Sequence, residues 1–187
     1  MEKPVCERVV VVEGRYDAVR VSSALNAFVI TTEGFGLFQN REKKALLRRL
    51  AEEKGLVTLL DPDGAGQVIR SHIQTITGGK GVVHLYVPPV KGKEARKKAP
   101  SKEGLLGVEG TDNAVIVDLF SRAGLLSGSR KEPGKRQKAD LIRLGYSGAP
   151  DSKAKREAFA AKNRLPKNLS ASALLQIINL LDLPLEE

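Results

Sequence analysis

The sequence predicts an α/β fold: a parallel four-stranded sheet flanked by helices, followed by a small all-α C-terminal domain. Short runs rich in Val, Ile and Leu alternate with segments of helical periodicity along the first 89 residues. Single helices between strands are typical of parallel sheets with right-handed crossovers. No strand-like run follows residue 137, where the pattern is helical only.

Four apolar runs predict the strands. They are residues 8–12, 27–31, 56–60 and 82–87. The first run is continuous rather than alternating, which is typical of a strand buried on both faces. We therefore expect helices on both sides of the sheet.

Seven segments predict the helices. They are residues 16–25, 41–54, 65–77, 111–123, 138–144, 152–162 and 170–181. Asn40 and Thr111 are expected to cap two of the helices at their N-termini. Gly55 is expected to end the helix of residues 41–54, and Gly78 the helix of residues 65–77.

Composition divides the chain into an α/β domain of residues 1–126, a linker of residues 127–137 and a helical domain of residues 138–187. No apolar run approaches the roughly 20 residues of a membrane-spanning helix, and the N-terminus does not resemble a secretory signal. The single Cys6 excludes an internal disulfide and a cysteine zinc site. We therefore expect a cytoplasmic monomer without a membrane partner.

Positive charge is concentrated in one part of the chain. The net charge is +9, and residues 90–170 hold 19 Lys and Arg against nine Asp and Glu. Such an excess suggests a polyanionic partner, of which nucleic acid is the commonest. The alternative is a basic surface without a partner. Residues 91–102, with six basic residues and one acid, lack periodicity and are expected to form a mobile loop.

Three acids follow predicted strands. Glu13 follows the first strand, and Asp61 and Asp63 follow the third. Ligands of open parallel sheets bind beyond the carboxyl ends of the strands, so we expect these acids to converge. Clustered carboxylates repel unless a cation lies between them, and hard oxygen ligands suit Mg²⁺. The alternative for Asp-Pro-Asp-Gly is a surface turn, but Glu13 at the same edge favours a metal site.

The sequence lacks the residues that two other hydrolytic mechanisms require. His72 and His84 have no metal-ligand spacing, which disfavours a zinc or histidine-based nuclease. No glycine-rich loop ending in Gly-Lys-Ser/Thr is present, which disfavours a P-loop nucleotide hydrolase.

The acids and their surroundings resemble a known family. Glu13-Gly14 after a first strand and the Asp-x-Asp-x-x-Gly stretch of residues 61–66 resemble the Toprim pattern over roughly residues 6–124. Among Toprim proteins, the chain resembles the ribonuclease M5 family, which matures 5S ribosomal RNA. Residues 11–17, 61–70 and 107–109 carry this closer resemblance, as do residues 138–152, which generic Toprim proteins do not share.

The resemblance implies a metal mechanism. Glu13 and Asp61 would hold one Mg²⁺, and Asp61 and Asp63 a second, so that two ions clamp the attacking and leaving oxygens. Glu13 would also serve as general acid or base. Asp17 and Glu109 are candidates for the metal shell. The alternatives are a favourable interaction with a helix dipole for Asp17 and a solvated loop position for Glu109.

The resemblance also implies the partners. The substrate would be precursor 5S rRNA, cut on both strands, with a 5S rRNA-binding protein of the large ribosomal subunit as helper. Contacts to the RNA are expected from Arg15, Arg70, Lys91, Lys93, Arg96, Lys97, Lys98, Lys135, Arg136 and Lys138. An apolar set in the last helix either docks the helper or forms the core of its own domain; it comprises Leu174, Leu175, Ile178 and Leu181.

Two other functions are compatible with a Toprim pattern. One is a non-catalytic module that binds nucleic acid, and the other is a nuclease or primase that acts on DNA. The presence of Glu13, Asp61 and Asp63 together favours catalysis.

Overall fold

The computed structural model describes residues 2–32, 41–93, 104–127 and 136–185. Strands and helices alternate in its first part, and helices alone follow. The elements in order are β1 Val5–Val12, α1 Arg15–Ala24, β2 Asn26–Thr31, α2 Arg41–Glu53, β3 Leu56–Leu60, α3 Gly64–Thr77, β4 Val82–Tyr86, α4 Asn113–Arg122, α5 Lys138–Arg143, α6 Ser152–Lys162 and α7 Ala171–Leu181. The predicted fold class is confirmed.

The sheet has the order β2-β1-β3-β4, and every neighbouring pair is parallel. β1 lies between β2 and β3 in the interior of the sheet. Residues 9–12 of β1 are fully buried, because helices cover both faces of the strand. The strand order brings the ends of β1 and β3 side by side.

Each face of the sheet packs against different helices. Val10 and Val12 belong to a cluster with residues of α1 and α4, whereas Val9 and Val11 belong to a cluster with residues of α2 and α3. This division follows from the alternation of side chains along a strand. The first four helices therefore form two layers around the sheet.

The C-terminal helices continue the second of these clusters. Leu141 of α5, Phe159 of α6 and Ile177 of α7 belong to the same buried cluster as Val9 and Val11. Two hydrogen bonds strengthen the contact with α2: Arg49 Nη1 donates to the carbonyl of Asn163, and the Lys167 amide donates to Glu42 Oε2, both over 2.9 Å. The division of the chain into two domains stays a prediction, but the apolar packing runs across it.

Residues of α7 that were open to two interpretations are part of the core. Leu174, Ile178 and Leu181 are 0, 1 and 8% exposed, and Leu175 packs against the same cluster. Burial of this face leaves it unavailable to a helper protein. The interpretation as an internal core is the correct one.

One detail differs from the sequence-based expectations. Asp112, not Thr111, is the residue before α4, and the Thr111 hydroxyl instead donates to the carbonyl of Gly107 over 2.9 Å. The ends of the basic loop pair with each other: Lys91 and Leu105 form an antiparallel bridge. Asn40 lies outside the described residues. None of the helices in the described ranges is long and apolar enough to cross a membrane.

Candidate functional site

Glu13 and Asp61 follow adjacent strands at nearly the same height. Val11 of β1 is paired with Thr58 of β3. Extending this register by two residues places Glu13 level with Leu60, directly before Asp61. Adjacent strands lie about 4.8 Å apart, so the convergence expected from the sequence exists in the backbone.

The carboxylate of Asp61 is held by the segment that follows the basic loop. The amide of Val108 donates to Asp61 Oδ1 over 2.8 Å. Gly107 passes so close that a Cβ at this position would overlap the Asp61 carboxylate. Only glycine allows this approach, so Gly107 and Val108 together determine where the Asp61 side chain points.

Asp63 has a structural task at the start of α3. It is the N-cap of that helix, and its Oδ1 accepts a hydrogen bond of 2.9 Å from the amide of Gly66. Such a cap satisfies an amide at the first helical turn that has no partner within the helix. One carboxylate oxygen of Asp63 is therefore engaged with the helix.

Asp17 joins the end of β1 to the segment that carries Val108. Its Oδ2 accepts from the amide of Gly14 over 3.0 Å, and its Oδ1 accepts from the amide of Glu109 over 3.1 Å. The pKa of Asp17 is raised to about 6, mainly by burial and also by the negative charges of Asp61 and Glu109, against the lowering effect of the two amide hydrogen bonds. The three acids thus form one electrostatically coupled group.

Arg20 is a contributor that sequence reasoning missed. Its Nε donates to the carbonyl of Glu109 over 2.9 Å, one helical turn along α1 from Asp17. The two residues hold the same peptide segment from the same helix face. Their spacing of three positions is the only signal in the sequence, and it does not identify the distant partner.

Arg70 does not lie where an RNA contact requires it. The side chain is only 4% exposed. Its Nη2 donates to the carbonyls of Leu60 and Leu85 over 2.9 and 3.3 Å, and its Nη1 to the carbonyl of Asp61 over 3.3 Å. The guanidinium also lies 4.2 Å from the ring centroid of Tyr86. The expectation of a phosphate contact is therefore corrected: Arg70 supports the loop of Asp61 from below the surface.

Burial lowers the pKa of Arg70, while the charges of Tyr86, Asp63 and Asp61 oppose this shift. A guanidinium stays protonated at any physiological pH. Arg70 therefore places a permanent positive charge behind the two aspartates, and it partly offsets their mutual repulsion.

The acids suit a divalent cation by their chemistry, but their side chains are not preassembled around one. Among the described residues, no group of three or more His, Cys, Asp or Glu side chains is arranged to hold a metal ion. Asp61 and Asp63 each accept a hydrogen bond from a backbone amide. These hydrogen bonds stabilise the charged carboxylates, which repel each other without a cation between them. The all-oxygen donor set matches the preference of Mg²⁺, and small rotations of these side chains are needed to use it.

The expected RNA contacts lie in different parts of the molecule. Arg15 is exposed at the start of α1, directly beyond the site. Lys91 and Lys93 lie at the paired base of the basic loop. Arg136 and Lys138 are exposed before and at the start of α5, far along the chain from the acids. Arg96, Lys97, Lys98 and Lys135 lie outside the described residues.

This fold and this site define the class of protein. A parallel sheet of order β2-β1-β3-β4, with Glu13 beyond β1 and an Asp-x-Asp pair beyond β3, has the Toprim-like architecture expected from the sequence.

Curated relatives identify the family within that class. The chain is 32% identical to ribonuclease M5 of Staphylococcus aureus over 157 residues, which are 83% of this chain and 80% of the relative. Identity to ribonuclease M5 of Clostridium botulinum is 32% over 152 residues, 81% of this chain and 76% of the relative. Identity to ribonuclease M5 of Listeria monocytogenes is 27% over 179 residues, which are 84% of this chain and 88% of the relative. The chain belongs to the ribonuclease M5 family.

Two further comparisons complete these findings. No protein-family model matches the chain. Among solved structures, a small TOPRIM domain protein from Bacillus stearothermophilus is similar, with a TM-score of 0.45 and 23% identity. The similarity covers 65% of this chain and 90% of that protein.

Proposed function

We propose that the chain is a Mg²⁺-dependent endoribonuclease that matures precursor 5S rRNA. Membership of the ribonuclease M5 family, shared over four fifths of the chain, is the observation that carries this proposal. The intact set of Glu13, Asp61 and Asp63 supports catalysis over a purely binding role.

Glu13, Asp61 and Asp63 are the residues proposed to hold the cation, with two ions as the proposed number. The bound metal would neutralise charge on the phosphate and activate water. The side chains of Asp61 and Asp63 would exchange their contacts with the amides of Val108 and Gly66 to present these oxygens to the metal. Glu13, placed by β1 on the neighbouring strand, is the proposed acceptor of the proton from the attacking water.

The residues around these acids position them. Asp17 and Arg20 hold the backbone of Glu109, and through Val108 this segment orients Asp61. Arg70 supports the same loop from behind through the carbonyls of Leu60 and Asp61. Such support matters because a displacement of about 1 Å can cost roughly a hundredfold in rate.

RNA is proposed to reach the acids along the basic loop. The two ends of the loop are joined by the Lys91–Leu105 bridge, and by hydrogen bonds from Gly92 to Gly104 and from Leu106 to Val90. The second of these ends leads directly into Gly107, beside Asp61. Lysines and arginines of such a segment contribute affinity that depends on salt but carries no sequence information. A 5S rRNA-binding ribosomal protein is the proposed helper, and the enzyme is proposed to act as a cytoplasmic monomer.

Cleavage of end-labelled precursor 5S rRNA tests the function. With Mg²⁺, product ends should map to two positions on opposite strands, and EDTA should abolish them. Asp61→Ala should reduce the rate by at least about a thousandfold if Asp61 acts on the charge of the transition state. Asp118→Ala on the exposed face of α4 is the matched control and should cleave normally.

The result also separates the alternatives. Retained cleavage by Asp61→Ala would place the active site elsewhere. Binding of the RNA without any cleavage, in the presence of Mg²⁺ and the helper protein, would support the non-catalytic module instead.

A further inference from the structure

A cleft of about 330 Å³ lies between α2 and the turn that follows α6. Three cationic residues line it, namely Arg41 from α2 and Arg164 and Lys167 from the turn. Ala45, Ala161 and Leu165 contribute apolar surface to its walls. Positive side chains around an apolar floor are suited to a small anionic group.

The acid in this cleft is already engaged. Glu42 also lines the cleft, and its Oε2 accepts a hydrogen bond of 2.9 Å from the amide of Lys167. Over the ranges that the structure describes, no ion pair involves Arg41, Arg164 or Lys167. The cleft thus presents three positive charges against one negative charge, and the carboxylate of Glu42 holds the turn.

Arg164 adopts an unusual backbone conformation to reach this position. It ends α6 in the left-handed region, with φ of 55°. Its amide donates to the carbonyl of Ala161, and the next amide, of Leu165, donates to Ala160. This is the Schellman pattern, in which glycine is preferred at the position that Arg164 occupies. A residue with a long cationic side chain at such a position is an outlier that calls for a functional explanation.

The turn is rigidly attached to the body of the protein. Leu165 is only 4% exposed, Arg49 Nη1 donates to the carbonyl of Asn163, and Glu42 holds the Lys167 amide. The backbone positions of the cations are therefore set before any ligand arrives. Such preorganisation lowers the entropic cost of binding.

One residue of the cleft, Arg41, lies at the same edge of the sheet as the acids. β2 ends beside Glu13, because the Thr32 hydroxyl donates to the Glu13 carbonyl over 3.1 Å. α2 then runs back from this edge to the start of β3, so Arg41, its first residue, lies at the edge where the strands end. Arg41 and the acids can therefore face one continuous nucleic-acid strand.

We propose that the cleft of Arg41, Arg164 and Lys167 binds a backbone phosphate of the RNA on the β2 side of the scissile bond. This rests on the proposed function, and it assigns a contact that differs from the basic loop on the β4 side of the sheet. Guanidinium groups form paired, charge-assisted hydrogen bonds to phosphate oxygens. The RNA is thus held on both flanks of the acids.

The decisive variant is Arg164→Gly, because glycine suits the left-handed position. Binding of labelled precursor 5S rRNA is measured in EDTA, where no cleavage occurs, over a range of salt concentrations. The variant should bind roughly fivefold more weakly. The slope of log affinity against log salt should become shallower by about one unit, which corresponds to the loss of one phosphate contact. Its melting temperature should stay unchanged or rise by up to about 3 °C.

Asn168→Gly is the matched control. Asn168 is exposed, uncharged and in the left-handed region, with φ of 62°, in the same turn. It should melt like Arg164→Gly but bind RNA like the wild type. Equal affinity and equal salt slope for Arg164→Gly and the wild type would overturn the proposed phosphate contact.

Cleavage by the wild type is measured separately in Mg²⁺. If the wild type cleaves and Arg164→Gly alone loses affinity, both proposals are supported. If Arg164→Gly loses affinity but the wild type never cleaves, the phosphate site stands and the proposed nuclease function fails.

Discussion

The amide of Val108 donates a hydrogen bond of 2.8 Å to Asp61 Oδ1, across 47 positions of the chain. This contact links the segment after the basic loop to the acid at the end of β3. A change in the backbone around Gly107 is therefore expected to move the Asp61 carboxylate directly.

Gly107→Ala should impair catalysis while leaving the fold intact. The added Cβ would overlap the Asp61 carboxylate, and displacing it by about 1 Å should slow cleavage roughly a hundredfold. Initial rates at saturating RNA measure the effect. Gly64→Ala is the control, because a Cβ at that position meets nothing within 4 Å. Equal rates for the two variants would contradict the proposed dependence on Gly107.

Arg70→Met should destabilise the protein by about 2–4 kcal/mol, because the carbonyls of Leu60 and Leu85 lose a charged donor. Urea unfolding followed by circular dichroism gives this difference.

Arg15→Ala should show the opposite behaviour. Arg15 is exposed, so its loss should change the free energy of unfolding by less than about 0.5 kcal/mol and weaken RNA binding. A stable Arg70→Met variant with reduced RNA affinity would restore Arg70 as a direct phosphate contact.

The carboxyl of Asp17 should titrate with a midpoint near 6. An unfolded aspartate ionises near pH 3.9, so the folded state retains the proton longer between about pH 4 and 6. This contribution to stability is present below pH 4 and is lost as pH rises through about 6. Carboxyl ¹³C NMR, assigned with Asp17→Asn, measures the midpoint.

Addition of Mg²⁺ should lower that midpoint, since a cation relieves the repulsion from Asp61 and Glu109. A midpoint near 4 without metal would show that burial and repulsion at Asp17 are smaller than the structure indicates.

Removal of residues 128–187 should weaken the α/β part itself. Leu46 and Leu50 of α2 share their buried cluster with Ile177 and Ile178 of α7, so truncation exposes apolar surface to water. The truncated chain should unfold at lower urea and bind a hydrophobic dye. Removing residues 186–187 alone is the control. Unchanged stability after the larger truncation would support an independent N-terminal domain.

The periodicity of apolar residues and the positions of glycine and capping residues predicted most of the fold. The strands of the sheet were recognisable because they are buried and β-branched, and Gly78 indeed ends α3 in the left-handed conformation. Thr111 was placed as a cap because local sequence offers both Thr and Asp before α4. The Thr111 hydroxyl instead donates to the carbonyl of Gly107, four residues earlier, in the turn that precedes α4.

Part of the candidate site could be predicted from local sequence. Glu13 and Asp61 follow strands, and strand ends are local features. The burial of Arg70 and the contact of Arg20 with Glu109 depend on segments 10 to 89 residues away. Arg164 carried no sequence signal, because its meaning comes from a left-handed backbone beside α2.

Asp63 has two roles. It caps the N-terminus of α3 through the Gly66 amide, and its carboxylate adds negative charge at the site. Replacement by Asn would keep an oxygen for the Gly66 amide and remove only the charge, whereas Ala would remove both. In relatives that have lost cleavage activity, Glu13 is therefore expected to be replaced by varied residues. Position 63 is expected to hold Asn or Ser, because these residues still cap α3 without the negative charge.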